Sequence, residues 1–385
     1  MGVRIGSGFS PVEDPRVAAI EAGTDARAAL GGAATDLAFV FFSGEHVRDL
    51  AAVLEGVHEA LAPGVLAGCG AGGVLGAGRE CENGSGVAVW AASLPGGSAR
   101  AFHAGTISAA DGATVTGLPD IAGASAVVLL ADPYTFPVDR ALAALGSAAP
   151  RTPVLGGIAS ARTPDGEAAL LLDGRHIGEG AVGVVLESVE VLPCVSQGAA
   201  PIGPELTVTS VDRNVVRELA GRPALEVLRE AIEGLDPRER ALVSGGLLLG
   251  TVIDGSGPDY GHGDFLVRGI VGVDPDAGTI AVGATVRPGQ VVRLHARDRE
   301  SADRDLRQGL ALRRAALGGS PAGALLFTCN GRGEALFGEE GHDVRAVEEE
   351  LGGAAVAGFF AAGEIGPVGG ENFVHGFTAT VAVFA

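Results

Sequence analysis

The chain contains no lysine; all 27 of its basic residues are arginine. That absence excludes a P-loop lysine, a Schiff-base lysine for pyridoxal phosphate and a lysine general base. Cysteine is sparse, at positions 69, 81, 194 and 329, and no two form a C-x-x-C pair. The four are expected to be free thiols in a reducing compartment. No uninterrupted apolar run reaches the roughly 18 residues of a membrane span. The N-terminal "MGVRIGSGFSPVEDP" has no apolar h-region, and glycine at position 6 breaks the myristoylation pattern. A cytoplasmic address without membrane insertion is therefore expected. A formal net charge of −20 and no basic run argue against nucleic acid and anionic lipid as partners. The eight histidines show no H-x-H or H-x-x-x-H spacing. "DGSGPDYGHGD", with Asp254, Asp259, His262 and Asp264, lacks the closing glutamate of a calcium loop and reads first as a hairpin loop. Neither a metal nor a cofactor is implied.

What the chain does have is glycine, 63 residues of it, and internal repetition. "LAFVFFSGEH" reads as a strand ending in polar residues, and "DLAAVLEGVHEALAP" as a helix with Leu50, Val53, Leu54, Val57 and Leu61 on one face. "VLAGCGAGG" then follows. The same order recurs in "AVVLLADPYTF", "VDRALAALGSAAP" and "VLGGIASA", and again in "ALLFTCNGRG", "DVRAVEEELGG" and "VAGFFAAGEIG". Each copy closes on a further strand-like run: "GVAVWAASL", "AVGVVLESVE" and "FTATVAVFA". A β-α-β unit of about 30 residues is the building block of parallel sheets. "GCGAGG" satisfies the dinucleotide pattern G-x-G-x-x-G, but no helix opens on it and no acidic residue follows about 20 positions later. It is instead expected to be a place where backbones approach closely, like "GGIASA" and "GFFAAGE".

Between the second and third copies, "ELTVTSVDRNVVREL" alternates and "PALEVLREAIEGL" reads as a helix. "LVSGGLLLGTV", "DFLVRGIVGV", "TIAVGATV" and "QVVRLHAR" then read as consecutive strands, with a hairpin at "DPDAG". The Gly/Pro-rich "SQGAAPIGPE" suggests a connector. The expected fold is mixed α/β (α+β): two domains, 1–197 and 198–385, built from repeated β-α-β-turn-β units whose mixed sheets are covered by helices.

Several of these stretches resemble a known family. "LLFTCNGRGEALFG", "VAGFFAAGEIGPVG" and "HGFTATVAVF" are similar to the closing blocks of the C-terminal FIST domain, named for F-box and intracellular signal transduction proteins. "GTVIDG…DFLVRGIVGVDPDAGTIAVG" and "VRLHARD" resemble its middle, and "SQGAAPIGPELTVT" with "RPALEVLREAI" its opening. "FVFFSGEH", "VLAGCGAGG" and "VLGGIAS…EGAVGVVLE" resemble the paired N-terminal FIST domain. In that alignment Gly73 stands where the third copy carries glutamate. The resemblance implies a sensory module that binds a small ligand, an amino acid among the candidates, and signals through a separate protein.

Ligands on such sheets sit beyond the carboxyl ends of strands. Those ends carry Ser43 to His46, Asp132 with Tyr134, and Cys329, Asn330, Gly331, Arg332 and Gly333. Arg332 suits a carboxylate or phosphate, or else tethers its loop to a neighbouring acid. Arg268 lies inside an apolar strand on the face of Leu266, where it needs a partner such as Asp254 or Glu364, or a ligand. Glu364 is placed to pair with an arginine or a ligand ammonium, a role Asp132 can share. Phe359 and Phe360 point to opposite faces, so that one is core and Phe360 can wall a pocket. Cys329 and His375, with Glu364, hold the ingredients of a thiol nucleophile. The leading expectation is a ligand-binding sensor for a small anionic or zwitterionic metabolite, an amino acid or organic acid. A cysteine-dependent hydrolase or transferase using Cys329 and His375, and a ligand-free protein-interaction scaffold, are the alternatives.

Overall fold

The computed structural model describes residues 2–109, 112–253 and 263–385. By contacts the chain divides into two compact units. The larger holds residues 1–195, 306–374 and 379–385; the smaller holds 196–305 and 375–378. The third copy therefore folds with the first two rather than with the segment preceding it. Mixed sheets covered by helices, the fold class read from the sequence, are what the chain forms.

Each copy in the larger unit contributes one parallel strand pair with a crossover helix. Leu37–Ser43 pairs with Val65–Ala71 across helix Leu50–Leu61. Ala126–Ala131 pairs with Val154–Ile158 across Val138–Ala148, and Gly323–Cys329 with Ala355–Ala361 across His342–Glu350. The closing strands Gly86–Ser93, Ala181–Glu187 and Thr378–Phe384 run antiparallel to the first strand of their own copy. The first crossover helix forms where its sequence indicates: the Asp49 side chain accepts from the Ala52 amide at its start, and Leu50, Val53, Leu54, Val57 and Leu61 are buried.

The short hairpin that ends each copy does not stay with it. Val74–Gly76 of the first copy pairs with Ala355–Ala361 of the third. Leu170–Leu172 of the second pairs with Val65–Ala71 of the first, and Glu364–Val368 of the third with Val154–Ile158 of the second. The three copies are thus linked in a ring by exchanged hairpins. Their sheets share one central core that includes Phe39, Phe41, Trp90, Leu130, Leu155, Phe327, Phe359 and Phe384. Helices cover the outer faces, with Val53 and Val57 on the first sheet, Leu142 and Leu145 on the second, and Leu306, Leu310 and Val347 on the third.

The ring explains the glycines. Gly68 stands opposite Val40, Gly156 opposite Leu129, and Gly358 opposite Leu326, the same register position in each copy. A Cβ at these sites would lie 2.2, 2.0 and 1.7 Å from the carbonyl oxygen of the facing residue. Gly68 and Gly70 lie within a strand, and the chain turns at Gly72 and Gly73. "GCGAGG" is a close-packing device, as expected, and no phosphate loop. The same register places Val74, not Gly73, at the position of Glu364, which corrects the alignment made from sequence.

The smaller unit is all antiparallel around its core. Ala199–Asp212, Val291–Arg297, Leu247–Val252, Phe265–Asp274, Thr279–Val282 and Val215–Leu219 pair in that order. Pairing of Ala199–Asp212 with Val215–Leu219 closes the sheet on itself as a barrel. The stretch read as a connector is largely strand. Of its two prolines, Pro204 falls where the ladder is irregular between Ile202 and Glu205, while Pro201 stands in register opposite His295. The hairpin read at "DPDAG" is present. Asp254, Asp259 and His262 lie outside the described residues.

Candidate functional site

At the carboxyl ends of the three parallel pairs the turns of the copies meet. The Phe360 amide donates to the Gly73 carbonyl, the Ile158 amide to Gly363, and the Gly70 amide to Ala169, one equivalent link between each pair of copies. Ser160 adds a side chain to this junction. Its hydroxyl accepts from the Gly72 amide at 2.8 Å and donates to the Phe360 carbonyl. The Asn330 amide donates to Ala361, so the loop after Cys329 starts at the same place.

That loop is short and glycine-rich for local reasons. Cys329 ends its strand, and the Arg332 amide closes a turn on the Cys329 carbonyl. A Cβ on Gly333 would overlap the Glu82 carboxylate, which accepts from the Glu334 amide at 2.7 Å. Glu80 accepts from the Gly341 and Val344 amides at 3.0 Å each, capping the helix His342–Glu350. Glu80 and Glu82 belong to the first copy's hairpin and reach the third copy's loop through the exchange.

Arg332 is fully buried. Its Nε and Nη2 donate to the two oxygens of Asp343 at 2.7 and 3.0 Å, a bidentate pair. Asp343 also accepts from the Thr328 hydroxyl and lies 3.0 Å from His342 Nδ1. His342 stacks on Phe337, and Arg332 sits 5.3 Å from the centre of the same ring. Burial alone would raise the Asp343 pKa, but the Arg332 charge and these hydrogen bonds hold it well below the usual carboxylate range. Burial works against the Arg332 charge in turn. Asp343 outweighs it, with smaller contributions from Cys329 and Glu364, and the guanidinium pKa is raised. Burial first, then the Asp343 charge, lifts Glu80 to about 7 against the pull of its two amide bonds. Arg332 Nη1 is buried and has no hydrogen-bond partner among the described residues.

The site residues read from the sequence separate accordingly. Cys329, Asn330, Gly331, Arg332 and Gly333 share the one loop, and Glu364 is fully buried close enough to act on the Arg332 charge. Phe359 and Phe360 do face opposite sides, and both are buried among core residues, Phe359 in the central core and Phe360 under the third sheet's helices. Asp132 is buried and already engaged: it accepts from the Tyr134 and Thr135 amides and the Thr135 hydroxyl, and pairs with Arg162 at 3.1 Å. Arg268 is half-buried in the smaller unit, where its Nη1 donates to the Val267 carbonyl. His375 belongs to that smaller unit and Cys329 to the larger, so neither unit alone holds the pair read as a thiol nucleophile. Sequence reasoning missed Ser160, Asp343, Glu80 and Glu82. Only the alternation of "GRECENG" hinted that the last two share a strand face.

Comparison with known proteins places this geometry. Residues 36–222 match the FIST N domain and residues 224–367 the FIST C domain. The chain belongs to the FIST family. An "uncharacterized protein Rv0628c" of Mycobacterium tuberculosis is 43% identical to it over 383 residues, covering 99% of this chain and 100% of that one. An "uncharacterized protein Mb0898c" of Mycobacterium bovis is 43% identical, covering 99% of each. FIST domains as a class are small-ligand sensory modules. The family match at residues 36–222 runs on past Val195, the last residue of the larger unit's first segment, so sequence domains and compact units divide this FIST protein differently. Among the described residues no helix is long and apolar enough to cross a membrane.

Proposed function

We propose that this FIST protein is a cytoplasmic ligand-binding sensor. It takes a small carboxylate-bearing metabolite, an amino acid or organic acid, at the junction of the three turns and signals through a separate protein. The observation that carries this reading is the buried Arg332, whose Nη1 lacks a partner among the described residues while Asp343 holds the opposite edge. A buried donor left unmade costs about 1–3 kcal/mol, which a ligand carboxylate would recover. Asn330 and the glycines beside it share the loop of that donor, and Glu364, which acts on the Arg332 charge, is the carboxylate assigned to an amino-acid ammonium. A zwitterion satisfies both charges, and an organic acid one of them.

The test is a thermal-shift screen of amino acids and organic acids, followed by calorimetry on the hits. At 100 times its dissociation constant a ligand stabilises by about 2.7 kcal/mol. Arg332→Ala alone is a poor control because it strips Asp343 of its counter-charge. Asn330→Ala and Glu364→Gln leave that pair intact. An amino-acid hit is expected to bind at least tenfold more weakly to Glu364→Gln, and any carboxylate more weakly to Asn330→Ala. A flat screen, or hits indifferent to both substitutions, sinks the proposal.

A further inference from the structure

The junction of the three turns holds polar groups that pairing with Arg332 leaves unused, and one short segment, residues 360–364, gathers them. The Ser160 hydroxyl donates to the Phe360 carbonyl, and the Asn330 main-chain amide donates to the Ala361 carbonyl. Glu364 ends the segment and acts on the Arg332 charge. Four residue steps span at most about 14 Å, so these anchor points lie close together. The side chains of Ser160 and Asn330 also meet over Gly72. A Cβ on that exposed glycine would lie 3.7 Å from Ser160 Oγ and 3.9 Å from Asn330 Oδ1, and the missing side chain leaves the space beside both open.

Their hydrogen-bonding capacity is not exhausted. Ser160 Oγ spends its proton on Phe360 and one lone pair on the Gly72 amide, which leaves a second lone pair. Asn330 is exposed, and its carboxamide makes no hydrogen bond among the described residues. It therefore offers two N–H donors and one carbonyl acceptor.

We infer that this place reads a carboxamide on the side chain of the ligand, so that the amino acid proposed for the Arg332 site is asparagine or glutamine. The inference rests on that proposed function and narrows it. A ligand carboxamide pairs with the Asn330 carboxamide through two hydrogen bonds, N–H to oxygen in each direction, and its second N–H meets the remaining lone pair of Ser160. Other side chains satisfy less. A carboxylate sets its own lone pairs against that of Ser160, a hydroxyl has a single proton for two acceptors, and an aliphatic group makes none of these bonds. A site that hydrogen-bonds a polar group discriminates against the analogue lacking it.

The experiment is calorimetry of the full chain with asparagine, glutamine, leucine and glutamate, leucine being close to asparagine in shape. One of the two carboxamides is expected to bind at least tenfold more tightly than leucine and than glutamate. Ser160→Ala also loosens the turn junction, so the readout is the ratio of carboxamide to leucine affinity, which a purely structural loss leaves unchanged; it should fall about fivefold. Gly72→Leu fills the space directly. Gly72 is not in the left-handed region and its Cβ meets only ordinary contacts, so the fold should persist while carboxamide binding weakens at least tenfold. Leucine bound as tightly as both carboxamides, with Glu364→Gln still weakening all three, overturns this inference and leaves the sensor reading standing. A preference that survives both Ser160→Ala and Gly72→Leu does the same. No binding by any amino acid overturns the inference together with the amino-acid reading.

Discussion

The Arg332–Asp343 pair offers the sharpest test of how this fold is held together. Both groups are buried, they share two hydrogen bonds, and Asp343 makes two more contacts, with Thr328 and His342. Removing one partner leaves an uncompensated buried charge, a loss of about 3–5 kcal/mol. That is a large fraction of the roughly 5–15 kcal/mol by which proteins are stable. Replacing both partners removes both charges, so Arg332→Met with Asp343→Leu is expected to recover much of the loss. Recovery stays incomplete because Thr328 and His342 lose their acceptor, at about 1 kcal/mol or more each. The double-mutant cycle should therefore show a coupling energy of about 3 kcal/mol. Trp90 makes the measurement specific. It is the one tryptophan, fully buried in the larger unit's core, with ring centroids 4.9 Å from Phe384 and 5.9 Å from Phe39. Urea unfolding followed by its fluorescence reports on the unit that holds the pair. Single variants costing less than 1 kcal/mol, or losses that simply add, would refute the argument. Asp343 titrates below the range of unfolded aspartate, so its contribution is complete above about pH 4 and falls only as pH drops toward its lowered value. Between pH 5 and 8 the pair should therefore add no slope.

Glu80 should supply the slope that the pair does not. Its pKa is raised to about 7, so the folded state holds a proton that the unfolded chain releases near pH 4.5. Stability should fall as pH rises from about 4.5 to 7, by up to about 3 kcal/mol. Glu80→Gln should flatten that dependence in the Trp90 transition, and an unchanged slope would show that Glu80 is not its source. The three facing glycines give a purely steric test. Gly358→Ala puts a Cβ against the Leu326 carbonyl and should cost about 3 kcal/mol or more by the same readout. Gly105→Ala, where a Cβ meets nothing within 4 Å, should be neutral; equal effects would contradict the close-approach account.

The parts legible in the sequence were those with local contrast. The three parallel strand pairs show as apolar runs, and helix Leu50–Leu61 as a stripe of large apolar residues, because their partners lie within one β-α-β unit. Helix Pro15–Ala29 escaped notice because its buried face is Ala18, Ala19, Ala22, Gly23 and Ala26, which differs little from its exposed face. Such small residues let it approach helix Leu50–Leu61 closely, with a Cβ on Gly23 only 2.7 Å from that of Ala60. The hairpin exchange left no mark, since "VLGAGREC" has the same pattern whichever copy's strand it joins. For the same reason nothing in the sequence joins Glu80 and Glu82 to residues more than 250 positions away. Arg332 was found because it follows an apolar strand, but Asp343 lies beyond a four-residue helix and two glycines in the left-handed region. No spacing rule joins the two.

The register also explains why three copies should make one ligand site rather than three. Ser43, Asp132 and Cys329 occupy equivalent positions at the ends of their strands. Ser43 donates to the Gly84 carbonyl, and the adjacent Glu45 amide to Ser85, so the first loop is closed by the hairpin segment of its own copy. Asp132 takes two amides, a hydroxyl and Arg162, which closes the second. In the third the equivalent residue is a half-buried cysteine, and Arg332 three positions on keeps one buried nitrogen without a partner among the described residues. The copies are alike in backbone and unlike in their polar groups: among the described residues the third loop leaves a guanidinium nitrogen open, while in the first the ring nitrogens of buried His46 also lack partners but burial disfavours the charge on that ring. Calorimetry with a ligand of this site should accordingly read one equivalent per chain; three equivalents would mean that the backbone junction, and not Arg332, does the binding.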